Sequence, residues 1–317
     1  MNALPTVYCI SGPTACGKTS LSIALAQRID GEIISADAVA VYRGMDIGSA
    51  KPTEEERQGI PHHLIDVADV TDNSFTVSTF RNLARNTIDD VIARHKTPIV
   101  VGGSGLYTDA IFSDMRFSTP SEPDLRTEIE SEYDEDPKAV FEALKAADPV
   151  TAERLHPNDK KRVVRALEVF RITGQPFSAL NRSFRNAQQD DDTYHIVRIG
   201  LNTDRRILYQ RIENRVDRMM EQGLKDEAFS FFDRGLSPQN CRAMQSIGYA
   251  QLYGVYLKEE TLETAIERIK TDTRHYAKRQ ITWFKRNPGI AWFDPLKIST
   301  DDILMNITEL SEWKSMS

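Results

Sequence analysis

The feature that most constrains the fold of this chain is the stretch GPTACGKT, which runs from Gly12 to Thr19. It matches the phosphate-binding pattern G-x-x-x-x-G-K-[ST] at every fixed position. The apolar segment TVYCIS precedes it, and the amphipathic segment KTSLSIALAQRI follows it. Between a strand and a helix, the backbone N–H groups of such a loop can surround phosphate oxygens at the helix N-terminus. The sequence therefore predicts a phosphate site at the end of a first β-strand.

The pattern predicts a role for each part of this loop. The Lys18 ammonium is expected to neutralise terminal phosphate charge, and the Thr19 hydroxyl is expected to bind Mg²⁺. The pattern alone leaves open whether the ligand is a nucleotide triphosphate, which such loops usually bind, or another diphosphate. The candidate phosphate-binding residues are Gly12, Pro13, Thr14, Ala15, Cys16, Gly17, Lys18 and Thr19.

Strand and helix patterns alternate over the first 112 residues. The runs EIISAD and TPIVVGG are typical of strands, whereas FTVSTFRNLARNTIDDVIARH and SGLYTDAIF are typical of helices. YHIVRIGL resumes the strand pattern after residue 193, and IAWFDP is a short strand candidate near the end. This alternation predicts an α/β fold, with a P-loop NTPase-like core of parallel sheet and covering helices.

The segment of residues 113–192 differs from the rest in composition. It is charged, has helical patterns interrupted by prolines, and ends in the polar run QQDDD. We therefore expect two domains. Residues 1–112 and 193–317 would form the α/β core, and residues 113–192 would form an inserted all-helical domain.

Three predicted strand ends should meet at one edge of the sheet, because ligands of open parallel sheets lie beyond the carboxyl ends of the strands. These ends are Ser11–Gly12, Asp37 and Gly102–Gly103. Asp37 is open to three interpretations: a metal ligand, a general base, or a helix cap. The end at Gly102–Gly103 carries no acid, so the usual metal-binding Asp of an NTPase is missing there. This disfavours motor and switch ATPases and favours small-molecule kinases or transferases with a diphosphate leaving group.

Charge is unevenly distributed along the chain. The net charge of −7 disfavours nucleic-acid binding, but residues 156–171 (HPNDKKRVVRALEVFR) and 273–286 (TRHYAKRQITWFKR) are rich in Lys and Arg. Such bases with interleaved aromatic rings are typical of proteins that bind unpaired RNA. The alternative is a solvated helix face whose aromatic rings turn into the core. Arg211, Arg215 and Arg218 share one predicted helix face, and could pair with neighbouring acids or clamp a phosphate.

The sequence contains no sign of a secreted or membrane protein. The three cysteines, Cys9, Cys16 and Cys241, form no C-x-x-C pair, which argues against a disulfide framework and against zinc. No basic stretch leads into a long apolar run at the N-terminus, and no segment approaches the roughly 20 apolar residues that span a bilayer. We therefore expect a cytoplasmic protein that does not enter a membrane.

Five stretches together closely resemble the bacterial tRNA dimethylallyltransferases, also called tRNA isopentenyltransferases. They are GPTACGKTSLSIALA, EIISADAVAVYRGMDIGSAKP, VGGSGLY, DPVTAERLHPNDKKRVVRALEVFRITG and TRHYAKRQITWFKR. The resemblance implies transfer of a dimethylallyl group from its diphosphate to the exocyclic N6 of the adenosine immediately 3′ of the anticodon. It also implies Mg²⁺ as cofactor, and dimethylallyl diphosphate rather than a nucleotide triphosphate in the loop.

The resemblance further implies roles for individual residues. Asp37 matches the family's general base, and Arg215 matches a residue that holds the diphosphate together with Lys18 and Thr19. Two positions depart from the family pattern. Ser104 stands where the family usually has Thr, so the hydroxyl that contacts the target nucleotide is retained. The candidate catalytic residues are Asp37, Lys18, Thr19, Ser104 and Arg215.

The other departure is Ala38, where most members have Ser, which puts a secondary hydrogen bond in doubt. The resemblance makes the helical insertion a clamp for the tRNA anticodon stem-loop, with the target base flipped out of its stack, and a monomer is expected to suffice. The residues that match tRNA-contacting positions are Asp37, Ala38, Val39, Ala40, Ser104, Arg126, Lys161, Arg162, Val163, Val164, Arg165, Arg242, Gly248, Tyr249, Lys278, Arg279, Gln280, Trp283 and Lys285.

Three other functions compete with this one. An adenylate isopentenyltransferase shares the core, but a free nucleotide needs no basic helical insertion. A small-molecule kinase leaves the basic residues of 156–171 and 273–286 without a purpose. A noncatalytic RNA-binding protein with a relic phosphate loop would be free to lose Lys18, Thr19 and Asp37, which are all present.

Overall fold

A computed structural model describes residues 4–113, 122–180 and 193–315 of the chain. The chain divides into two compact units, Met1–Ile111 with Asp192–Ser317, and Phe112–Asp191. The first unit contains one sheet of six strands: β1 (Thr6–Ser11), β2 (Gly31–Ser35), β3 (His62–His63), β4 (Thr97–Gly102), β5 (His195–Leu201) and β6 (Ala291–Phe293).

The sheet is entirely parallel, in the order β3-β2-β4-β1-β5-β6. This confirms the predicted α/β class with a parallel sheet. The central strand β1 is buried along almost its whole length, as expected of a strand that helices cover on both faces. The strand β3 was not predicted, because two residues are too few to show an alternating pattern. All strands point their carboxyl ends to the same edge, so the loop after β1 lies at the middle of that edge.

Helices surround the sheet of the first unit, and those in the described part of the chain include none that is both long and apolar enough to cross a membrane. Before the insertion they are α1 (Lys18–Ile29), α2 (Glu54–Arg57), α3 (Val77–Ala93) and α4 (Gly105–Phe112), whose last residue begins the second unit. After the insertion, and numbered on from the five helices of the second unit, they are α10 (Arg205–Glu221), α11 (Leu224–Phe232), α12 (Tyr249–Tyr256), α13 (Leu262–Phe284) and α14 (Thr300–Ser315). A 3₁₀ turn lies at Ala243–Gln245.

The core of the first unit joins the strands to the helices that cover them. Ile10, Ile99 and Ile199, from three adjacent strands, are fully buried. Burying each such side chain contributes about 1.5–3 kcal/mol relative to leaving it exposed. Glu32 on β2 is buried as well, and it is paired with the Arg94 guanidinium and with His63 Nε2, the latter at 2.6 Å. The pairing satisfies a carboxylate that would otherwise be costly to bury.

The elements in the described part of the second unit are all helices. Its helices are α5 (Pro123–Glu135), α6 (Pro137–Ala147), α7 (Pro149–Ala152), α8 (Lys160–Thr173) and α9 (Phe177–Leu180). Asp136, Asp148 and Asp159 accept N–H bonds at the starts of α6, α7 and α8, which stabilises helix N-termini. The apolar faces of these helices meet in a separate core that includes Ile129, Phe141, Leu144, Val163 and Leu167.

Candidate functional site

The loop between β1 and α1 is built to receive an anion. Gly17, the residue before α1, has φ 96°, a conformation that favours glycine, and no side chain caps the helix. Among the described residues, none accepts a hydrogen bond from the backbone N–H groups of Ala15 to Thr19. These groups are thus free to bind phosphate oxygens at the positive end of the helix.

Lys18 is held inside this loop by the loop's own carbonyl groups. Its ammonium donates to the carbonyl oxygen of Gly12 at 3.0 Å and to that of Pro13 at 2.7 Å. The side chain is partly buried, whereas Thr19 beside it is exposed. The cation is therefore already positioned over the loop, and a bound phosphate would have to compete with two carbonyl groups for it.

Asp37 lies beyond the carboxyl end of β2, at the same edge of the sheet as the phosphate loop. Its Oδ1 accepts from the N–H groups of Val39 at 2.8 Å and Ala40 at 3.2 Å, which closes a turn. No α-helix begins there, because the next described helix along the chain is Glu54–Arg57. Its Oδ2 has no hydrogen-bond partner in the described part of the chain. One carboxylate oxygen is thus committed to structure, and the other is available for chemistry.

Ser104 connects the ends of β2 and β4. Its hydroxyl accepts a hydrogen bond from the N–H of Ala38 at 3.1 Å, directly after Asp37. The backbone N–H of Ser104 points to the carbonyl of Ala36 at 3.4 Å. Ser104 therefore holds the turn that carries the Asp37 carboxylate, and this bond uses the backbone of residue 38, so it does not depend on which side chain stands there.

Arg215, in the middle of α10, faces the same edge of the sheet. Burial lowers the pKa of its guanidinium, and the negative charge of Asp37 partly opposes that effect. Cys16 in the phosphate loop also acts on it electrostatically. Because the guanidinium stays charged at any physiological pH, the arrangement places a fixed cation within the electrostatic range of both Asp37 and the phosphate loop.

Two tyrosines, the buried Tyr107 and the half-buried Tyr276, complete the surroundings of Asp37. Burial, and after it the charge of Asp37, raise the pKa of Tyr276 to about 12, although hydrogen bonding to Ser104 and Gln280 acts in the opposite direction. Burial and then the charges of Tyr42 and Asp37 raise the pKa of Tyr107 as well. Both phenols therefore keep their protons at neutral pH and can serve only as neutral groups near the carboxylate.

Helix α13 presents two different faces. On the inner face, Gln280 is buried and the Trp283 indole N–H donates to Asp109 Oδ2 at 2.8 Å. On the outer face, Lys278 and Arg279 are exposed, and so is Lys285, the residue directly after the helix. The indole of Trp283 and the buried Phe284 thus turn inward, as the second interpretation of residues 273–286 expected, while RNA binding by the exposed bases stays a prediction.

Several residues that match tRNA-contacting positions are buried. Tyr249 is fully buried, its hydroxyl donates to Glu227 Oε1 at 2.5 Å, and its neighbour Gly248 is buried too. In the second unit, Val163 and Val164 belong to the hydrophobic core. Their side chains are therefore not on a surface that RNA can reach, whereas those of Arg242, Lys161 and Arg162 are exposed.

Arg126 and Arg165 have a structural partner within the second unit. Arg126 Nη2 donates to Glu168 Oε2 at 2.7 Å, and Arg165 Nη1 donates to the same oxygen at 2.6 Å. The Glu168 side chain is fully buried, and both arginine side chains are about one third exposed. Each arginine thus neutralises a buried carboxylate and still presents part of its side chain to solvent.

Sequence reasoning did not identify Glu227 on α11, which organises a loop next to the cleft. Its carboxylate accepts from the backbone N–H groups of Asp46 at 2.9 Å, Ile47 at 2.8 Å and Gly48 at 3.0 Å. Nearby, the buried Lys51 ammonium donates to Asp46 and Asp66 at 2.6 and 2.5 Å. The stretch YRGMDIGSAKP, which carries part of the family resemblance, marks this loop in the sequence. Nothing in the sequence around Glu227 indicates its distant partners.

The residues present fit a magnesium ion only together with a phosphorylated ligand. The described residues contain no group of three or more His, Cys, Asp or Glu side chains that could hold a metal. The Thr19 side chain is exposed at the first turn of α1, and no described residue bonds to its hydroxyl. Mg²⁺ is commonly bound in this way, by one or two protein oxygens, water and substrate phosphates.

Comparison with known proteins gives a consistent result. The sequence profile of the family described as IPP transferase matches residues 40–287. The tRNA dimethylallyltransferase of Geobacillus thermodenitrificans is 46% identical over 290 residues, 91% of this chain and 90% of that protein. The one from Geobacter metallireducens is 44% identical over 286 residues, 90% of this chain and 91% of that protein.

Solved structures are similar as well. The full-length tRNA isopentenylpyrophosphate transferase of Bacillus halodurans superposes with a TM-score of 0.72 at 40% identity, over 98% of both chains. A eukaryotic dimethylallyltransferase acting on tRNA gives a TM-score of 0.76 at 31% identity, over 92% of this chain and 74% of that one. These similarities extend over both units of the chain.

Proposed function

The chain belongs to the IPP transferase family, and from this premise we propose how its cleft transfers a dimethylallyl group to tRNA. The activity is that of a tRNA dimethylallyltransferase, with dimethylallyl diphosphate as donor and tRNA as acceptor. The acceptor atom in our proposal is the exocyclic N6 of the adenosine immediately 3′ of the anticodon. The main observation behind the proposal is that two groups lie at the same edge of the sheet. These are the phosphate loop and the Asp37 carboxylate, whose Oδ2 has no hydrogen-bond partner among the described residues.

The phosphate loop would bind the diphosphate of the donor. The free N–H groups of Ala15 to Thr19 and the Lys18 ammonium supply hydrogen bonds and positive charge. Arg215 adds a fixed cation near the same loop. In the reaction the C–O bond to the diphosphate breaks, so negative charge grows on the leaving group. Donors fixed in advance around that charge stabilise the transition state more than the ground state.

Asp37 would act as the general base. As N6 forms its bond to the first carbon of the dimethylallyl group, it must lose a proton, and the free Oδ2 of Asp37 can accept it. General base catalysis of this kind contributes typically about 10²–10⁴-fold to a rate. The turn formed by Oδ1 and the hydroxyl of Ser104 keeps the carboxylate in place, because both bond to backbone N–H groups of residues 38–40.

We propose that Mg²⁺ binds with the donor at Thr19. The fit rests on the exposed, unpartnered Thr19 hydroxyl directly beside the free N–H groups of the loop. When bound, the ion would neutralise charge on the diphosphate. Lys18 and Arg215 would perform the same task from the protein side, so the site would not depend on the metal alone.

The exposed bases on the outer face of α13 and on α8 are the proposed contacts with the RNA backbone. Lys278, Arg279 and Lys285 form one group, and Lys161 and Arg162 form another within the second unit. Cations of this kind bind phosphates without regard to sequence. The base itself must leave its stack to reach the cleft, where Ser104 and Asp37 would meet it.

We further propose that the enzyme works as a monomer in the cytoplasm. The proposed donor site and base lie within one unit of one chain, from β1, β2, β4 and α10, so a second copy is not needed to complete them. The tRNA acceptor named for the relatives supports the cytoplasmic location.

The test is a transfer assay with isotopically labelled dimethylallyl diphosphate and Mg²⁺. Unmodified tRNA with adenosine 3′ of the anticodon is offered beside free AMP, and a tRNA with guanosine at that position is the matched control. Label is expected in the adenosine-containing tRNA alone. Label in AMP alone would move the chain to the nucleotide-using branch of the fold. Consumption of ATP without label transfer would contradict the proposal.

A further inference from the structure

Gln280 connects two loops that belong to different halves of the cleft. Its Oε1 accepts a hydrogen bond from the N–H of Thr14, in the phosphate loop, at 3.0 Å. Its Nε2 donates to the carbonyl of Gly103, at the end of β4, at 2.9 Å. A single side-chain amide on α13 therefore spans the gap between the end of β1 and the end of β4.

The contact leaves no spare room. A Cβ atom at Gly103 would lie 2.1 Å from Gln280 Nε2, so the glycine is required for the close approach of the amide. Gln280 is 5% exposed. Since both ends of its amide are used inside the protein, Gln280 is poorly suited to contact RNA directly, although its sequence neighbours Lys278 and Arg279 are exposed.

The two loops carry the two reacting partners in the proposed function. Thr14 belongs to the loop that would bind the diphosphate, yet its N–H is outside the run of free N–H groups from Ala15 to Thr19. Gly103 precedes Ser104, which holds the Asp37 turn. The amide of Gln280 thus links the loop that would bind the donor to the loop that holds the Asp37 turn. It does so without using a group that either substrate would bind.

We propose that Gln280 is a positioning residue that sets the distance between the donor's diphosphate and the general base. Errors of about 1 Å in the placement of reacting groups can cost about 10²-fold in rate. Gln280 lies on the same helix as the exposed bases of the outer face. RNA that binds α13 would therefore also influence the distance between the diphosphate and the general base. The inference rests on the proposed function and adds a residue that touches neither substrate.

The first test is Gln280→Met, which keeps an unbranched side chain of similar volume but removes the hydrogen bonds to both loops. The expected result is a fall in kcat of about 10²-fold at saturating donor and tRNA. The dissociation constants for labelled dimethylallyl diphosphate and for tRNA, each measured by equilibrium binding, should change by less than about threefold. A single-turnover measurement should place the loss in the bond-forming step rather than in product release.

The matched control is Gln251→Met on α12. Gln251 is 6% exposed, accepts from the N–H of Gly248 at 2.8 Å and donates to Asp272 at 2.7 Å. It therefore has nearly the same burial and also accepts from a backbone N–H, but it donates to a carboxylate instead of a backbone carbonyl and does not link the phosphate loop to β4. Both variants should lose similar thermal stability, and at saturating tRNA only the Gln280 variant should lose turnover.

A double-mutant cycle keeps the proposal testable if Gln280→Met perturbs folding. Gly103→Ala forces its new Cβ against the Gln280 amide, so it should reduce kcat in the wild-type background. In a Gln280→Ala background that obstacle is gone. Gly103→Ala should then reduce kcat by a factor about tenfold smaller than in the wild-type background, because contacting residues are coupled. Equal costs in the two backgrounds would count against the bridge.

Two failures can be told apart. If the wild-type enzyme transfers no label to tRNA, the proposed function fails, and with it the role of Gln280 in that reaction. If the wild type is active and Gln280→Met keeps its kcat, only the positioning role is overturned. A drop in kcat that equals the drop in Gln251→Met would likewise assign Gln280 to general stability.

Discussion

The hydroxyl of Tyr249 donates to Glu227 Oε1 at 2.5 Å, and the same carboxylate closes over the backbone N–H groups of residues 46–48. One acidic side chain thus ties α11, α12 and the loop after β2 together. The negative charge of Glu227 also raises the pKa of Tyr249, after burial as the main cause. The buried phenol keeps its proton and remains a donor at any physiological pH.

The first prediction concerns this link. Glu227→Ala should lower the free energy of unfolding by about 2–3 kcal/mol, because it leaves backbone donors and a buried hydroxyl without their charged acceptor. Asp226→Ala, at an exposed position in the same helix, should cost less than about 1 kcal/mol. Urea denaturation of both variants measures the difference. Equal losses would mean that the loop does not depend on Glu227.

The second prediction concerns Asp37. Asp37→Asn keeps an Oδ1 that can accept from Val39 and Ala40 but removes the basic oxygen, so turnover should fall by about 10²–10⁴-fold. Affinity for tRNA should change little. Asp69→Asn is the control, since Asp69 closes a similar turn with Thr71. Single-turnover transfer to tRNA is the measurement, and a normal rate in the Asn variant would exclude Asp37 as the base.

The third prediction concerns the outer face of α13. Replacing Lys278 and Arg279 together by Ala should weaken tRNA binding and reduce the slope of log K against log salt by about 1–2, because up to two phosphate contacts are lost. The paired control replaces Arg28 and Lys96, bases at the opposite edge of the sheet. Filter binding over a range of salt concentrations distinguishes the two. An unchanged slope in the α13 variant would show that this face does not meet the RNA backbone.

The fourth prediction concerns the dependence of stability on pH. The Arg94 guanidinium holds the pKa of Glu32 at about 2, below its ordinary value of 4.5, despite burial, which acts in the opposite direction. An acid whose pKa is lowered by folding stabilises the folded state at pH values above its ordinary pKa. This contribution to the free energy of unfolding is lost as the pH falls towards 2. Wild type should therefore exceed Glu32→Gln in stability by about 1–3 kcal/mol at pH 7.

That advantage should shrink between pH 4.5 and pH 2. Thermal unfolding of both proteins across this range provides the measurement. A stability difference that stays constant with pH would show that Glu32 contributes through packing rather than through its charge.

The sequence predicted the elements whose signal is local. The strand at residues 6–11 and the phosphate loop after it follow from a contiguous pattern, and the parallel sheet follows from alternation. The strand pattern EIISAD extended to Asp37, whereas β2 ends at Ser35, because the Asp37 carboxylate closes a turn instead. Such a turn depends on a side-chain orientation that no pattern of apolar residues reveals.

The parts of the candidate site that depend on contacts between distant residues could not be predicted from the sequence. Gln280 lies among bases in the sequence, and only the fold shows that it meets Thr14 and Gly103. The expected run of tRNA contacts from Lys161 to Arg165 was continuous, but a helix alternates its exposure every three to four residues. Val163 and Val164 therefore face the core, while Lys161 and Arg162 face solvent.

The two faces of α13 have a consequence for engineering the enzyme. Because each residue advances a helix by about 100°, a single inserted residue between Gln280 and Trp283 would turn the indole away from Asp109 while leaving the overall charge unchanged. Point substitutions on the outer face carry no such penalty. Libraries that alter RNA affinity can therefore randomise Lys278, Arg279 and Lys285 at constant helix length, with the inner face left unchanged.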